Sequence, residues 1–464
     1  MSPSFDRRTA LAALASGALL SACGSMTRSS TSAQAYPPLV FVHGNGDTAA
    51  LWMTTLWRFE SNGWPRARLH AIDMPYPAAR SDDTKTQAGR SSTSEAMQHL
   101  AAEVDKVLAA TGAQKVVLVG NSRGGYAIRN YIANGGGAAK VSHAVLGGTP
   151  NHGVWASPAF QPGSEFNGAG AFLKALNAPK GAEGNEVTPG VKWLTLRSDR
   201  NDKYAQPDGR WIGAPGTPTG VTFDGPALKG ATNEVIANAD HREVSFGPKA
   251  FEHTWRFITG KDPATTAITP EAQIVLNGKV SGRGVDNDPA TGTDPSNLPL
   301  DGATVEVHAV DPATGERRAT VHRQTIDADG QWGPFAADPK ASYEFVVSAP
   351  GYATTHIYRS PFPRSSDIVN LRARTLTEAD QKARAVVTLD RPRGYFGVPR
   401  DEISLDGKSP PAGVPAGVAG VSSATVRLTD GVGRAVAGAF NGERIVGRAW
   451  PVADNELTVL ELHY

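Results

Sequence analysis

The sequence predicts an α/β fold in its first part and an all-β region behind it. Up to about residue 260, apolar runs typical of buried strands alternate with helical patterns, which indicates a mostly parallel sheet with helices on both faces. After residue 263, short apolar or alternating segments are separated by turn-rich spacers, and no comparable helical pattern interrupts them. The 464 residues have room for two or three domains. We therefore expect an α/β domain at residues 36–262 and an all-β accessory domain at residues 263–464.

Residues 1–35 have the pattern of an export signal and a tether. Arg7 and Arg8 precede a short stretch of small and apolar residues, which is typical of a twin-arginine signal. The segment Leu20-Ser21-Ala22-Cys23 resembles a bacterial lipobox, in which the cysteine is acylated, and Cys23 is the only cysteine of the chain. We expect a lipoprotein anchored in the outer membrane through Cys23, facing the periplasm or the cell surface. A secreted protein cleaved after Ala35 is the second choice.

Strands and helices alternate through the α/β part. The predicted strands cover residues 38–44, 69–73, 115–119, 141–146 and 191–196. Between the second and third of them, apolar residues recur at spacings of three and four, and we expect Ser94 to cap this helix and Gly112 to end it. The segment 151–190 is long and rich in Gly, Ala and Pro, so we expect it to form a lid over the site.

The motif Gly120-Asn121-Ser122-Arg123-Gly124 directly follows the third predicted strand. The pattern G-x-S-x-G places a serine on a strained turn between a strand and a helix, where its hydroxyl projects into a cleft. The two flanking glycines lie against neighbouring backbone in such a turn, where a Cβ would collide. The motif therefore predicts Ser122 as a nucleophile.

A serine hydroxyl needs a histidine to accept its proton and an acid to orient that histidine. Both follow the serine along the chain in this type of fold. The histidines in the remaining α/β part are His143, His152, His241 and His253. The first lies in a predicted strand, the second directly behind that strand, and the last in a predicted helix. His241 lies in a polar loop before that helix, and we assign it as the general base.

The acid is expected in the loop that follows the strand 191–196, because catalytic side chains gather at the carboxyl ends of parallel strands. Asp202 and Asp199 both meet this condition; we favour Asp202 and keep Asp199 as the second candidate. Asp240 is expected to point away from its neighbour His241.

The developing oxyanion of acyl transfer needs hydrogen-bond donors. We expect the backbone NH groups of Arg123 and of Asn45, in the loop behind the first strand, to supply them. Trp52, Trp57 and Phe59 follow this loop and either line an acyl pocket or belong to the core, which is the commoner role of such aromatics. The predicted chemistry requires no cofactor and no metal.

Three segments together resemble the α/β-hydrolase superfamily and, within it, bacterial lipases: Val40–Gly44, Val119–Gly125 and Leu146–Gly153. The join at residues 257–266, with a β region behind it, resembles archaeal long-chain lipases that carry a C-terminal β-barrel. In two places the sequence departs from this family. Asn121 stands where the family usually has histidine, and Gly147-Gly148 stands where some relatives place the acid. The second departure favours the loop that holds Asp202 and Asp199.

The motifs and the resemblance predict a serine carboxylic ester hydrolase, a lipase or esterase that works through an acyl-serine intermediate. A lid and a lipid anchor suit lipidic substrates, but they equally suit an exported depolymerase of a polyester such as a polyhydroxyalkanoate. An alternative of another class is a non-catalytic surface lipoprotein that binds lipid or glycan. With 46 basic and 45 acidic residues, charge gives no reason to expect nucleic acid as a partner.

Overall fold

A six-stranded, entirely parallel sheet forms the centre of the N-terminal part. The computed structural model describes residues 36–282 and 294–464. The strands of this part are β1 (Leu39–Val42), β2 (Leu69–Ile72), β3 (Ala78–Ala79), β4 (Arg90–Ser91), β5 (Val116–Asn121), β6 (Val141–Gly147), β7 (Lys192–Ser198) and β8 (Thr232–Ile236). The strands of the parallel sheet lie in the order β2-β1-β5-β6-β7-β8, and β3 and β4 form a separate short pair. The predicted α/β fold is confirmed.

Helices cover both faces of the sheet, because its strands are apolar on both sides. They are α1 (Met53–Ser61), α2 (Thr93–Thr111), α3 (Arg123–Asn134), α4 (Ala171–Leu176), α5 (Glu243–Phe246) and α6 (Pro248–Thr259). In β1, Leu39 and Phe41 pack into a core shared with α1 and α6. Val40 and Val42 point the other way, into a core shared with α2 and α3.

Helix α2 begins two residues earlier than the prediction that Ser94 caps it. The cap is Ser92, whose Oγ accepts a hydrogen bond from the NH of Glu95, while Glu95 Oε2 accepts one from the NH of Ser92. This reciprocal capping box satisfies two otherwise free NH groups, and Ser94 cannot form it because no Glu or Gln stands three residues later. Gly112 ends the helix as predicted, with φ of 65°.

Thirteen strands of the described chain follow behind α6. They are β9 (Ile274–Gly282), β10 (Thr304–Val310), β11 (Arg317–Thr325), β12 (Gln331–Ala337), β13 (Ser342–Ser348), β14 (Thr354–Arg359), β15 (Leu371–Ala373), β16 (Ala385–Asp390), β17 (Ile403–Leu405), β18 (Ser423–Leu428), β19 (Ala435–Phe440), β20 (Glu443–Arg448) and β21 (Glu456–Glu461). Seven form a mixed sheet in the order β11-β10-β13-β14-β21-β16-β18, and the others form sheets β12-β9-β15 and β17-β19-β20.

The change from α/β to β structure falls between Thr259 and Ile274, around the boundary expected at residue 262. One hydrophobic core nevertheless runs through both parts, from Trp57 of α1 and Phe251 of α6 to Phe345 of β13. The indole Nε1 of Trp57 also donates to the carbonyl of Ser365 at 2.8 Å. The described residues from 36 onward therefore make one compact unit.

Trp52, Trp57 and Phe59 are all buried in this core. The core role of these aromatics is the one that the structure shows, since none of them lines the cavity described below.

Residues 1–35, with the predicted signal and Cys23, lie outside the described residues. Within residues 36–282 and 294–464, no helix is long and apolar enough to cross a membrane.

Candidate active site

Ser122 occupies the turn between β5, which ends at Asn121, and α3, which begins at Arg123. Its backbone has φ of 51° and ψ of −122°, a region that residues with a side chain rarely adopt. Such a conformation costs on the order of 1–3 kcal/mol and persists only where the surroundings enforce it. The serine is held on the strained turn that the G-x-S-x-G motif predicts.

The two glycines of the motif allow this turn. A Cβ on Gly124 would lie 2.4 Å from the carbonyl oxygen of Val42, and one on Gly120 would lie 2.9 Å from the nitrogen of Gly125. A side chain at residue 124 would push the elbow away from β1, and one at residue 120 would push α3 away from β5, so both positions require glycine.

His241 and Asp202 form a buried pair at the carboxyl end of the sheet. The imidazole Nδ1 lies 2.8 Å from Asp202 Oδ1, and both side chains are almost completely buried. Asp202 Oδ1 also accepts the NH of Tyr204 at 2.8 Å. The other imidazole nitrogen, Nε2, has no hydrogen-bond partner in the described chain. Asp202 thus holds the ring in one orientation through Nδ1, and His241 lines the same cavity as Ser122.

Asp199, the second candidate for the acid, is exposed and points away from His241. Its Oδ1 accepts the NH groups of Arg200 and Asn238, at 2.7 and 2.9 Å. Its side chain therefore connects the loop behind β7 with the segment behind β8. Only Asp202 of the two aspartates contacts His241.

The three other candidate histidines do not line the cavity beside Ser122. His143 on β6 packs edge-on against Phe257. His152 pairs with Glu186 at 2.9 Å and lines a different cavity. His253 of α6 lies 3.9 Å from Glu234.

The backbone NH of Arg123, the residue directly behind Ser122, and that of Asn45 have no hydrogen-bond partner within the described residues. The Asn45 side chain accepts the NH of Ala79 at 2.7 Å, which fixes the loop behind β1. Asn45 and Ser122 line the same cavity. The two free NH groups are the type of donor that an oxyanion requires.

His43, at the end of β1, has a structural role that the sequence did not reveal. Nδ1 donates to the carbonyl of Gly44 at 2.9 Å, and Nε2 accepts the NH of Met74 at 3.0 Å. Burial lowers the pKa of this histidine, which keeps the ring in the neutral form that this pair of bonds requires. His43 thus shapes the loop that carries Asn45.

Asn121 connects the elbow to the histidine loop. Its amide Nδ2 lies within hydrogen-bond distance of three oxygens: the carbonyl of Gly147 at 3.3 Å, the carbonyl of His241 at 3.2 Å and the hydroxyl of Ser245 at 2.8 Å. The residue is buried. The departure from the histidine that is usual in the family therefore places a donor against the backbone of His241.

The insertion 151–190 is held against α3 by buried polar contacts. Arg123 forms a bidentate ion pair with Glu165, at 2.7 and 3.0 Å. Arg129 donates to the side chains of Asn151 and Asn177, at 3.0 and 2.7 Å. Each of these contacts joins the insertion to the helix that follows Ser122.

The cavity beside Ser122 has a volume of about 190 Å³. Six aromatic rings from three parts of the chain contribute to its wall. The rings are Trp155, Phe160, Phe166, Tyr204, Trp211 and Tyr395. Two charged residues, Asp47 and Arg242, also line it and form an ion pair of 3.1 Å.

Sequence reasoning missed Tyr395, because it lies in the region predicted as an accessory β domain. Its ring centroid is 6.4 Å from that of His241. The aromatic and charged lining residues had no motif to mark them. In the described part of the chain, no group of three or more His, Cys, Asp or Glu side chains is arranged to hold a metal ion.

Comparison with known families agrees with this architecture. Residues 37–172 match the family model described as alpha/beta hydrolase fold, and residues 272–376 match the model described as lipase C-terminal domain.

Solved structures with a similar arrangement include lipases and an esterase. The lipase BlEst2 of Bacillus licheniformis, in its mature form, is 20% identical, and the match covers 49% of this chain and 93% of that one, with a TM-score of 0.35. Aspergillus fumigatus lipase B is 14% identical over 50% and 54% of the two chains, with a TM-score of 0.34. The esterase RhEst1 of Rhodococcus sp. ECU1013 is 17% identical over 48% and 90%, with a TM-score of 0.27.

Proposed function

The chain is a lipase-like α/β-hydrolase, and from this premise we propose that it hydrolyses carboxylic esters through an acyl-serine intermediate on Ser122. The observation that carries the proposal is the 2.8 Å contact between His241 Nδ1 and Asp202 Oδ1, with Nε2 left free beside the cavity that Ser122 lines. A histidine oriented in this way accepts the proton of a serine hydroxyl.

In the proposed reaction, the Ser122 hydroxyl attacks the ester carbonyl while His241 Nε2 takes its proton. The NH groups of Arg123 and Asn45 donate to the oxyanion of the tetrahedral intermediate. His241 then protonates the departing alcohol, and the acyl group stays on Ser122. Water, deprotonated by His241, attacks the acyl-serine, and the carboxylic acid leaves as His241 returns the proton to the Ser122 oxygen. Asp202 keeps the ring in one tautomer and stabilises the imidazolium.

We further propose that the acyl group is short or about the size of a phenyl ring. A cavity on the order of 150 Å³ holds a benzene molecule, and the volume here is about 190 Å³. Larger ligand pockets span roughly 300–1,000 Å³. Six aromatic side chains in the wall favour an apolar or aromatic group over a charged one.

Hydrolysis of p-nitrophenyl esters from C2 to C16 tests the reaction and the size limit together. We expect a maximum at C2 to C6 for the wild type and at least a thousandfold lower kcat for Ser122→Ala. The matched control is Ser94→Ala on the exposed face of α2, which should leave kcat unchanged. Activity that survives Ser122→Ala, or no activity on any ester, would contradict the serine mechanism and favour a non-catalytic binding protein. A maximum at C12 to C16 would contradict the size limit and favour lipids.

The two aspartates of the same loop offer an internal control for the acid. We expect Asp202→Asn to lower kcat by three to four orders of magnitude, because the histidine loses its orienting carboxylate. Asp199→Asn should retain kcat within about threefold. The opposite ranking would move the acid to Asp199.

We also propose that the protein works outside the cytoplasm as a lipoprotein acylated at Cys23. The support is the twin-arginine pattern and the lipobox-like segment in the sequence. Incorporation of labelled palmitate in the wild type and its loss in Cys23→Ser is the expected result. Equal labelling of both, or of neither, would contradict the anchor.

A further inference from the structure

We propose that Arg391, in the C-terminal part of the chain, is a positioning residue for His241. The inference rests on the proposed function, in which His241 is the general base. The connection between the two residues runs through Asp240, the residue that precedes the histidine. Its two carboxylate oxygens hold two different parts of the chain.

Oδ1 of Asp240 holds the histidine loop itself. It accepts the NH groups of Arg242 at 2.8 Å and of Glu243 at 3.0 Å, so the backbone turns tightly around His241 and enters α5. The carbonyl of His241 is fixed separately by Asn121. The backbone on either side of the imidazole is therefore held by directed bonds.

Oδ2 of Asp240 holds the C-terminal part. It accepts Nη1 of Arg391 at 2.7 Å and the NH of Tyr395 at 2.8 Å. Asp240 is completely buried and Arg391 is 3% exposed, so water cannot replace either partner. Burial alone would raise the pKa of Asp240, but the guanidinium groups of Arg391 and Arg400 hold it below its ordinary value.

The guanidinium of Arg391 lies between the two acidic residues that flank His241 and Arg242. Its Nη1 contacts Asp240 and its Nη2 contacts Glu243 Oε1 at 2.5 Å. The carbonyl of Tyr395 also accepts from Nη1, at 2.7 Å. Arg391 thus links Asp240 and Glu243, the residues on either side of His241 and Arg242. Its hydrogen bond to the Tyr395 carbonyl also fixes Tyr395 in the cavity wall.

Arg400 does not duplicate this contact. Its Nη2 is 3.5 Å from Asp240 Oδ2, while it donates to Asp401 Oδ2 and the carbonyl of Tyr395 at 2.8 Å. Without Arg391, the buried carboxylate of Asp240 loses its nearest cation, and this carboxylate belongs to the residue next to the general base. Displacement of a catalytic group by about 1 Å lowers the rate on the order of a hundredfold.

The test compares Arg391→Met and Arg391→Lys with the wild type, using p-nitrophenyl butyrate. The matched control is Arg434→Met, which removes the bidentate partner of Asp406 in the loop before β19. We expect Arg391→Met to lower kcat about 10- to 100-fold with KM within twofold. Arg391→Lys keeps a positive charge but lacks the second nitrogen of the guanidinium group, so kcat should fall less, about three- to tenfold. Arg434→Met should change neither constant.

Circular dichroism spectra at the assay temperature, together with thermal melts, establish that the variants are folded. If Arg391→Met does not fold, the conservative Arg391→Lys carries the test alone. Equal kcat in Arg391→Lys and Arg434→Met, or a loss expressed only in KM, would overturn the positioning role. Failure of the proposed function has a different signature: the wild type itself would be inactive, and a fluorophosphonate would not label Ser122.

Discussion

Arg123, the residue directly behind Ser122, forms a buried bidentate ion pair with Glu165 of the insertion. The two side chains are 6% and 1% exposed. Arg123, whose NH lies directly behind Ser122, therefore also holds the insertion in place. This contact makes the insertion part of the rigid environment of the elbow.

We predict that the insertion acts as a fixed cap and that the enzyme shows no interfacial activation. The buried pair and the contacts of Arg129 would all have to break for the segment to open. The rate on tributyrin, measured through its solubility limit, should follow a single saturation curve. A sharp rise at the limit would show that the cap moves.

Glu165→Gln should strongly destabilise the fold. Removal of one partner leaves the Arg123 charge buried, which costs about 3–5 kcal/mol. Denaturant unfolding measures the difference. The control Glu103→Gln removes a surface partner of Lys106 and should change stability by less than about 0.5 kcal/mol. Equal effects of the two substitutions would contradict the importance of the buried pair.

Asn121→Asp should impair both stability and turnover, although the two side chains have the same shape. The amide donates toward the carbonyls of Gly147 and His241, whereas a carboxylate would face them with a second negative oxygen. We expect the free energy of unfolding to fall by about 2–3 kcal/mol, since the buried carbonyl groups lose their hydrogen-bond donor. kcat should fall at least tenfold because His241 shifts. Asn134→Asp, at an exposed position of α3, is the control for the charge change.

Acid should weaken the seven-stranded sheet through Glu344. Burial raises the pKa of this carboxyl, but hydrogen bonds from His356 and Arg317 outweigh it and lower the pKa to about 2. A lowered pKa means that the ionised form stabilises the fold above about pH 4.5, and that this contribution disappears as the pH falls toward 2. The lowering of the Glu344 pKa from 4.5 to about 2 corresponds to a contribution of roughly 3 kcal/mol to the free energy of unfolding.

Unfolding free energies between pH 6 and pH 2.5 measure this effect. Glu344→Gln should show a flatter decline than the wild type, whereas Glu378→Gln, at an exposed site, should follow the wild type. Parallel curves for all three proteins would exclude Glu344 as the acid-sensitive group.

Phe166→Ala should shift the ester preference toward longer acyl chains. The ring lines the cavity, and its removal enlarges the space beside Ser122. We expect the ratio of kcat/KM for C8 over C4 esters to rise at least fivefold. Phe172→Ala, at a neighbouring ring that does not line the cavity, should leave this ratio unchanged.

The sequence alone determined the local features of this protein. The glycines and the serine of residues 120–124 predict a strained turn because backbone sterics act over a few residues. Strand and helix periodicity predicted most of the parallel sheet, while the edge strand β8 was missed because it is mostly polar and exposed. The order of serine, acid and histidine along the chain limited the candidates to a few side chains.

Only the tertiary structure decided which of these side chains meet. The sequence favours Asp202 and leaves Asp199 as the second candidate, and the turn of the loop behind β7 directs Asp202 to His241 and Asp199 to Asn238. Arg391 contacts Asp240 from 151 residues away along the chain. No local pattern encodes that contact, because a buried ion pair depends on how distant segments pack and not on the residues beside it.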